Sequence, residues 1–132
     1  MKGEAVMRGA IRAVIALVGL FNLALGLGFL IDPARLGAAF FLSATEVQGL
    51  ATLRADFTAF FITGGAFALI GAWRGRAEPL AVPLLLLTIA LFGRLVSLAV
   101  DGPSSTAFGP MAAEATMIAV LLAGRRILAE RQ

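Results

Sequence analysis

The sequence predicts an all-α fold, in the form of an up-down four-helix bundle that is integral to a membrane. Of its 132 residues, 60% are hydrophobic and only 14% are charged, whereas about 25% of residues are charged in typical soluble domains. The apolar residues also gather in long runs separated by short polar segments. With a mean hydropathy of +0.95, the chain has too little polar surface for a soluble globule, and residues 1–132 are expected to form one membrane domain.

The first predicted span covers residues 10–31. Residues 13–31 carry no charge, and a helix needs about 20 predominantly apolar residues to cross the hydrocarbon core. The basic residues that precede the run, Lys2, Arg8 and Arg12, would also suit a signal peptide. The apolar region of a signal peptide is shorter, about 7–15 residues, so we expect the segment to be retained as a membrane helix.

Three more apolar runs predict three more spans. The second covers residues 50–73 and ends at Trp73, a residue type that is common at membrane interfaces. The third and fourth spans cover residues 80–100 and 108–128. Residues 34–49 are too polar to cross a membrane and predict an amphipathic segment at its surface. Because the other connections are short, neighbouring helices are expected to be antiparallel.

The distribution of basic residues predicts the orientation of these spans. Most of them lie before the first span, between the second and third spans, or after the fourth: Lys2, Arg8, Arg12, Arg74, Arg76, Arg125, Arg126 and Arg131. The remaining connections carry only Arg35, with Arg54 at the entrance of a span. The positive-inside rule then places both termini in the cytoplasm. The net charge of +3 is explained by this orientation, and we expect no binding to nucleic acid.

The residue types that are absent exclude several kinds of chemistry. The sequence has no cysteine, histidine or tyrosine, so Cys/His zinc sites, His- or Cys-ligated haem and Ser-His-Asp nucleophile systems lack their ligands. Gly64-Gly65 is not part of a phosphate-binding loop, because no GxxxxGK pattern surrounds it. We expect no catalytic residues, no metal site and no cofactor.

One polar stripe interrupts the third apolar run. Arg94, Ser97 and Asp101 are spaced so that they share one face of a helix. At a rise of about 1.5 Å per residue, Arg94 lies about 10 Å deeper than Asp101, within a hydrocarbon half-thickness of about 15 Å. An unpaired charge at the membrane centre costs about 2.5–3.5 kcal/mol on insertion scales.

The predicted topology brings further charged residues to the outer half of the bundle. Together with the stripe they form a candidate polar cluster: Arg54, Asp56, Arg94, Ser97, Asp101 and Glu114. Three interpretations are open. Arg94 extends to the headgroups without a partner, or it forms a structural ion pair with Glu114 first and Asp101 second, or the cluster binds a ligand, an ion or a proton. We favour the structural ion pair.

Small and polar residues predict how the helices pack. Gly19, Asn22 and Gly26 form a stripe on the first span, where Asn22 is expected to bond across helices as a structural polar residue. A second set of small residues is expected to line one side of the second span, beside Gly64, Gly65 and Gly71: Ala59, Thr63 and Ala66.

Several of these segments together resemble a family of bacterial membrane proteins that is known as domain of unknown function 4345. The resemblance covers most of the chain: Gly19-Leu20-Phe21-Asn22, Pro33, Leu53-Arg54-Ala55, Gly64-Gly65, Gly93-Arg94-Leu95-Val96-Ser97, Asp101-Gly102 and Glu114. The pattern in the third span is the most specific part. The resemblance implies a four-helix integral membrane domain in the bacterial cytoplasmic membrane, and it implies no established activity.

Three functions are compatible with the sequence. The first is a non-enzymatic accessory or interaction module, whose partners are the lipid bilayer and either a second copy of the chain or another membrane protein. The alternative is a binding or transport protein for a small molecule, a lipid or protons, which would use the polar cluster. An enzyme that works through Asp56, Asp101 or Glu114 is the least favoured.

Overall fold

The computed structural model of the protein describes residues 1–129, and all of its regular structure is helical. It has five helices: α1 (Lys2–Ile31), α2 (Pro33–Ala39), α3 (Val47–Arg74), α4 (Ala81–Val100) and α5 (Phe108–Ala129). Residues Leu53–Phe57 of α3 are π-helical. No strand occurs in the described range, so the all-α prediction is confirmed.

Within residues 1–129, three helical segments are long and apolar enough to cross a membrane: Lys2–Ile31, Val47–Arg74 and Glu78–Val100. They coincide with the first three predicted spans. α5 forms over the fourth predicted span, but it is not among these three segments. Glu114, Arg125 and Arg126 lower its hydropathy, so its length and composition alone do not qualify it as a span.

Each of the four long helices packs against two others. α1 and α4 both contact α3 and α5, and the contacts join the start of one helix to the end of its neighbour. Arg8 near the start of α1 bonds to Ile127 near the end of α5. α1 and α4 begin at one end of the bundle, where α3 and α5 finish. We call this the basic end. The opposite ends, with α2, form the cavity end.

The backbones of α1 and α3 approach each other closely through glycine. A Cβ atom added to Gly65 would lie 2.7 Å from the carbonyl oxygen of Gly19, and one added to Gly19 would lie 3.0 Å from the carbonyl oxygen of Gly65. Small residues of this kind let membrane helices pack closely. The prediction for Ala59 and Thr63 is wrong, because both residues are exposed. The glycines expected beside them, Gly64, Gly65 and Gly71, are buried, and Ala68 and Ala72 complete the packing face of α3.

Three arginines hold the ends of helices that they do not belong to. The last carbonyls of a helix have no partner within it and carry partial negative charge, so they attract cationic donors. The bonds run from Arg8 Nη1 to Ile127 O (2.8 Å), from Arg12 Nε to Ala72 O (2.7 Å), from Arg12 Nη2 to Trp73 O (2.8 Å) and from Arg54 Nε to Leu30 O (3.0 Å). The ends of α5, α3 and α1 are therefore tied to neighbouring helices.

Aromatic rings fill the cavity end. Phe29 of α1 is fully buried, and its ring centroid lies 4.7 Å from that of Phe57 and 5.9 Å from that of Phe61. Phe40, just after α2, contacts the same ring at 5.4 Å. The segment that follows α1 therefore folds back onto the helix ends and forms one wall of the candidate site.

The contact between Gly19 and Gly65 yields a test of the packing. We expect Gly65→Ala to lower the free energy of unfolding by about 1–3 kcal/mol, because the added methyl group must push two backbones apart. A matched control is Gly93→Ala, since nothing lies within 4 Å of the added Cβ there. Removing this helical glycine should leave stability unchanged or raise it by up to about 1 kcal/mol. Equal losses in unfolding experiments in detergent micelles would contradict this packing.

Candidate functional site

A single ion pair joins α4 and α5 at the cavity end. The Nε–H of Arg94 donates to both carboxylate oxygens of Glu114, at 2.9 and 3.0 Å. The Arg94 side chain is 36% exposed and the Glu114 side chain only 12%. The two residues meet because α4 runs towards the cavity end while α5 runs away from it. The partner that the sequence favoured for Arg94 is thus the one in contact with it.

This pairing leaves part of the guanidinium unused. The two Nη groups of Arg94 make no hydrogen bond to any residue in the range 1–129. Because only the Nε–H of Arg94 donates to Glu114, the N–H groups of its two Nη atoms remain as donors for another acceptor. The pair also cancels both formal charges, which lowers the cost of holding them among apolar helices.

A cavity of about 730 Å³ opens beside this ion pair. Small-molecule sites in proteins measure about 300–1,000 Å³ and are mostly apolar with a few polar groups. Three charged residues border the cavity: Asp56, Arg94 and Glu114. Most of its remaining wall is apolar, and includes Phe21, Phe40, Phe57, Phe60, Leu87 and Met117. We call this space the larger cavity.

The π-helical segment of α3 carries two charged residues, Arg54 and Asp56, whose side chains have different surroundings. Arg54 is directed to the end of α1, where it bonds to Leu30, and it does not border the larger cavity. Asp56 does border it, is exposed, and makes no hydrogen bond or ion pair with the described part of the chain. Single π-helical turns occur often at functional sites. Here the turn carries Asp56, which borders the same cavity as Arg94 and Glu114.

The polar stripe of α4 borders a second, smaller cavity of about 410 Å³. Arg94, Ser97 and Asp101 all line it, as their spacing predicts. The side chains of Ser97 and Asp101 form no bond to Arg94, and the one hydrogen bond between them runs from the Asp101 backbone N–H to the Ser97 carbonyl, at 2.8 Å. Arg94 therefore lies between two cavities, and Asp101 is not its partner.

Asn22 is buried, with 4% of its surface exposed. Its Nδ2 donates to the Val18 carbonyl at 2.9 Å within α1 and to Met117 Sδ on α5 at 3.5 Å. The cross-helix contact expected for Asn22 is therefore present, but its acceptor is a sulfur atom, which is a weak one.

The aromatic wall and the bonds from arginines to helix ends at the basic end were not predicted from the sequence. Phe29, Phe40 and Phe57 lie in three different segments of the chain, and no local pattern links them. Arg8 and Arg12 were explained by orientation alone, although both also bond to helix ends. Among residues 1–129, no three acidic side chains lie together in a group that could hold a metal ion.

No family model, no curated protein and no solved structure matches this chain. The resemblance to domain of unknown function 4345 therefore stays a prediction. The function has to be inferred from the geometry of the site.

The ion pair leads to a prediction about stability. We expect Arg94→Gln to lower the free energy of unfolding by about 1–3 kcal/mol. The Glu114 carboxylate is poorly exposed to solvent, and the substitution removes its charged partner. The double variant R94Q/E114Q should recover most of the loss, since two neutral amides can bond to each other.

The control is Arg76→Gln, which breaks the Arg76–Glu78 pair, whose side chains are 56% and 53% exposed. Such exposed pairs contribute about 0–1 kcal/mol. Denaturation in the same micelles compares these three variants and the single variant Glu114→Gln. A double variant that loses as much as the sum of its single changes would show that the two side chains are not coupled.

Proposed function

We propose that this chain is an integral membrane protein with four spans, which binds an amphipathic molecule in the larger cavity. Its surface supports the membrane location. Leu17, Leu85 and Phe92 are 65%, 61% and 65% exposed, which is costly in water and favourable in lipid. The ion pair supports the inclusion of α5 as a span, because Glu114 enters the bilayer already paired with Arg94.

The orientation in this proposal places the basic end in the cytoplasm and the cavity end outside. The described basic residues that support it include Arg12, Arg74 and Arg125, which lie at the basic end. Cytoplasmic segments of membrane proteins are rich in lysine and arginine. A bacterial cytoplasmic membrane is the location that the family resemblance favours. The larger cavity would then lie at the level of the outer leaflet.

The observation that carries the binding proposal is the composition of the larger cavity wall. An apolar, aromatic wall suits a hydrocarbon chain or ring, while Asp56, Arg94 and Glu114 can hold a polar group. Because Arg94 and Glu114 neutralise each other, the Asp56 carboxylate is the remaining charge. A cationic group is therefore favoured. An amine or quaternary ammonium is also attracted to the faces of aromatic rings such as Phe57 and Phe60.

The second candidate function is the non-enzymatic accessory module. The observation that favours it is the ion pair itself, since Arg94 and Glu114 already satisfy each other's charge without a ligand. In that case the pair fixes how α4 packs on α5, and the partner is a second copy or another membrane protein. The larger cavity has no role in this alternative, so blocking it separates the two candidates.

Filling the larger cavity should weaken binding. Ala113 borders the cavity, and Ala112, its neighbour on the same helix, does not. We expect Ala113→Phe to weaken the binding of a single-chain alkylamine about tenfold or more, since the ring takes space that the ligand needs. Ala112→Phe should bind as the original protein does. Native mass spectrometry of protein in lipid nanodiscs measures both, and equal binding by the two variants would contradict this use of the cavity.

The charge of the ligand can be tested separately. We expect the protein to prefer an alkylamine over the carboxylate of equal chain length. Asp56→Asn should reduce that preference about fivefold, which corresponds to about 1 kcal/mol for one charge pair at a partly exposed site. A preference for the carboxylate would show that the Nη groups of Arg94 recognise the ligand and that Asp56 does not.

A further inference from the structure

A groove follows the line of contact between α1 and α3 at the basic end, far from the larger cavity. It has a volume of about 690 Å³. Arg12 and Arg74 line its outer part, and no acidic residue lines it. Trp73, the one tryptophan of the sequence, borders the groove with 85% of its surface exposed. We call this space the basic groove.

The lining of the basic groove changes along the helices. From Arg12 it continues along α1 through Ala13 and Ala16, and from Arg74 it continues along α3 through Ile70 and Leu69. The four steps along the helix from Arg12 to Ala16 span about 6 Å at the helical rise. The groove is thus cationic where the helices reach the basic end and apolar about one turn further in.

The two arginines differ in what they already bind. Arg12 donates through Nε and Nη2 to the carbonyls of Ala72 and Trp73, which fixes its guanidinium beside the end of α3. Arg74 is exposed and makes no hydrogen bond or ion pair with residues 1–129. The groove therefore has one fixed positive charge and one that can adjust to a ligand.

We propose that the basic groove binds a phospholipid with an anionic headgroup. Its phosphate would lie between Arg12 and Arg74, and the upper part of an acyl chain would lie on Ala13, Ala16 and Ile70. Both the sign of the charge and the order of the cationic and apolar parts match such a lipid entering from the membrane surface. Trp73 lies where aromatic residues contact the interface. The inference rests on the proposed membrane insertion, but not on the ligand of the larger cavity.

The single tryptophan makes this inference measurable. The protein is reconstituted into bilayers that mix phosphatidylglycerol and phosphatidylcholine, with one of the two brominated near the headgroup end of its chains. Bromine quenches Trp73 fluorescence only at short range, so the comparison reports which lipid lies next to it. We expect the relative association constant to favour phosphatidylglycerol about fivefold, as expected for one well-placed arginine near the membrane surface.

Matched variants assign the effect to the groove. Arg74→Gln should bring the relative association constant close to one, while Arg12 is left in place because it holds the end of α3. Arg76→Gln removes the same charge two residues away, but Arg76 does not line the groove and is bonded to Glu78. It should keep the preference for phosphatidylglycerol.

The possible outcomes separate this inference from the proposed function. Equal quenching by both lipids in the original protein would overturn the anionic site and leave membrane insertion standing. Loss of the preference in both variants would also overturn it, since general surface charge would then be the cause. The absence of quenching by either lipid would overturn the membrane insertion as well.

Discussion

The close approach of α1 and α3 is the constraint on which the rest of the structure depends. Because Gly19 and Gly65 let the two backbones touch, the start of α3 lies against the end of α1. Thr58 Oγ1 can then donate to the Gly26 carbonyl at 3.2 Å, and Phe57 can stack on Phe29. The same contact sets the position of the π-helical segment, and therefore places Asp56 at the larger cavity.

Several charged side chains that join the helices have a partner of opposite polarity on another helix. Arg8, Arg12 and Arg54 each bond to carbonyls at the end of another helix, where the backbone carries partial negative charge. Arg94 lies away from any helix end and pairs with Glu114 instead. Among apolar helices each unpaired charge would be costly, so these bonds also specify which helices are neighbours.

The sequence predicted the elements that follow from hydropathy and chain order. The depth of Arg94 and Glu114 depends only on where apolar runs end, so their proximity could be predicted. The capping role of Arg54 could not, because a helical wheel assumes regular α-helix and α3 is π-helical at that residue. The larger cavity was also beyond prediction, since Phe40 and Phe41 border it through the fold of the segment around α2 and not through any local pattern.

The central claim is that α5 crosses the membrane although it is less apolar than the other long helices. The sequence has no cysteine, so single cysteines can be introduced at Ser105, before α5, and at Ala129, at its end. Labelling with a membrane-impermeant maleimide in intact bacterial cells reports the side of each. We expect S105C to be labelled and A129C to be labelled only after permeabilisation. Labelling of both cysteines in intact cells would place the two ends of α5 on the same side and would contradict the four-span account.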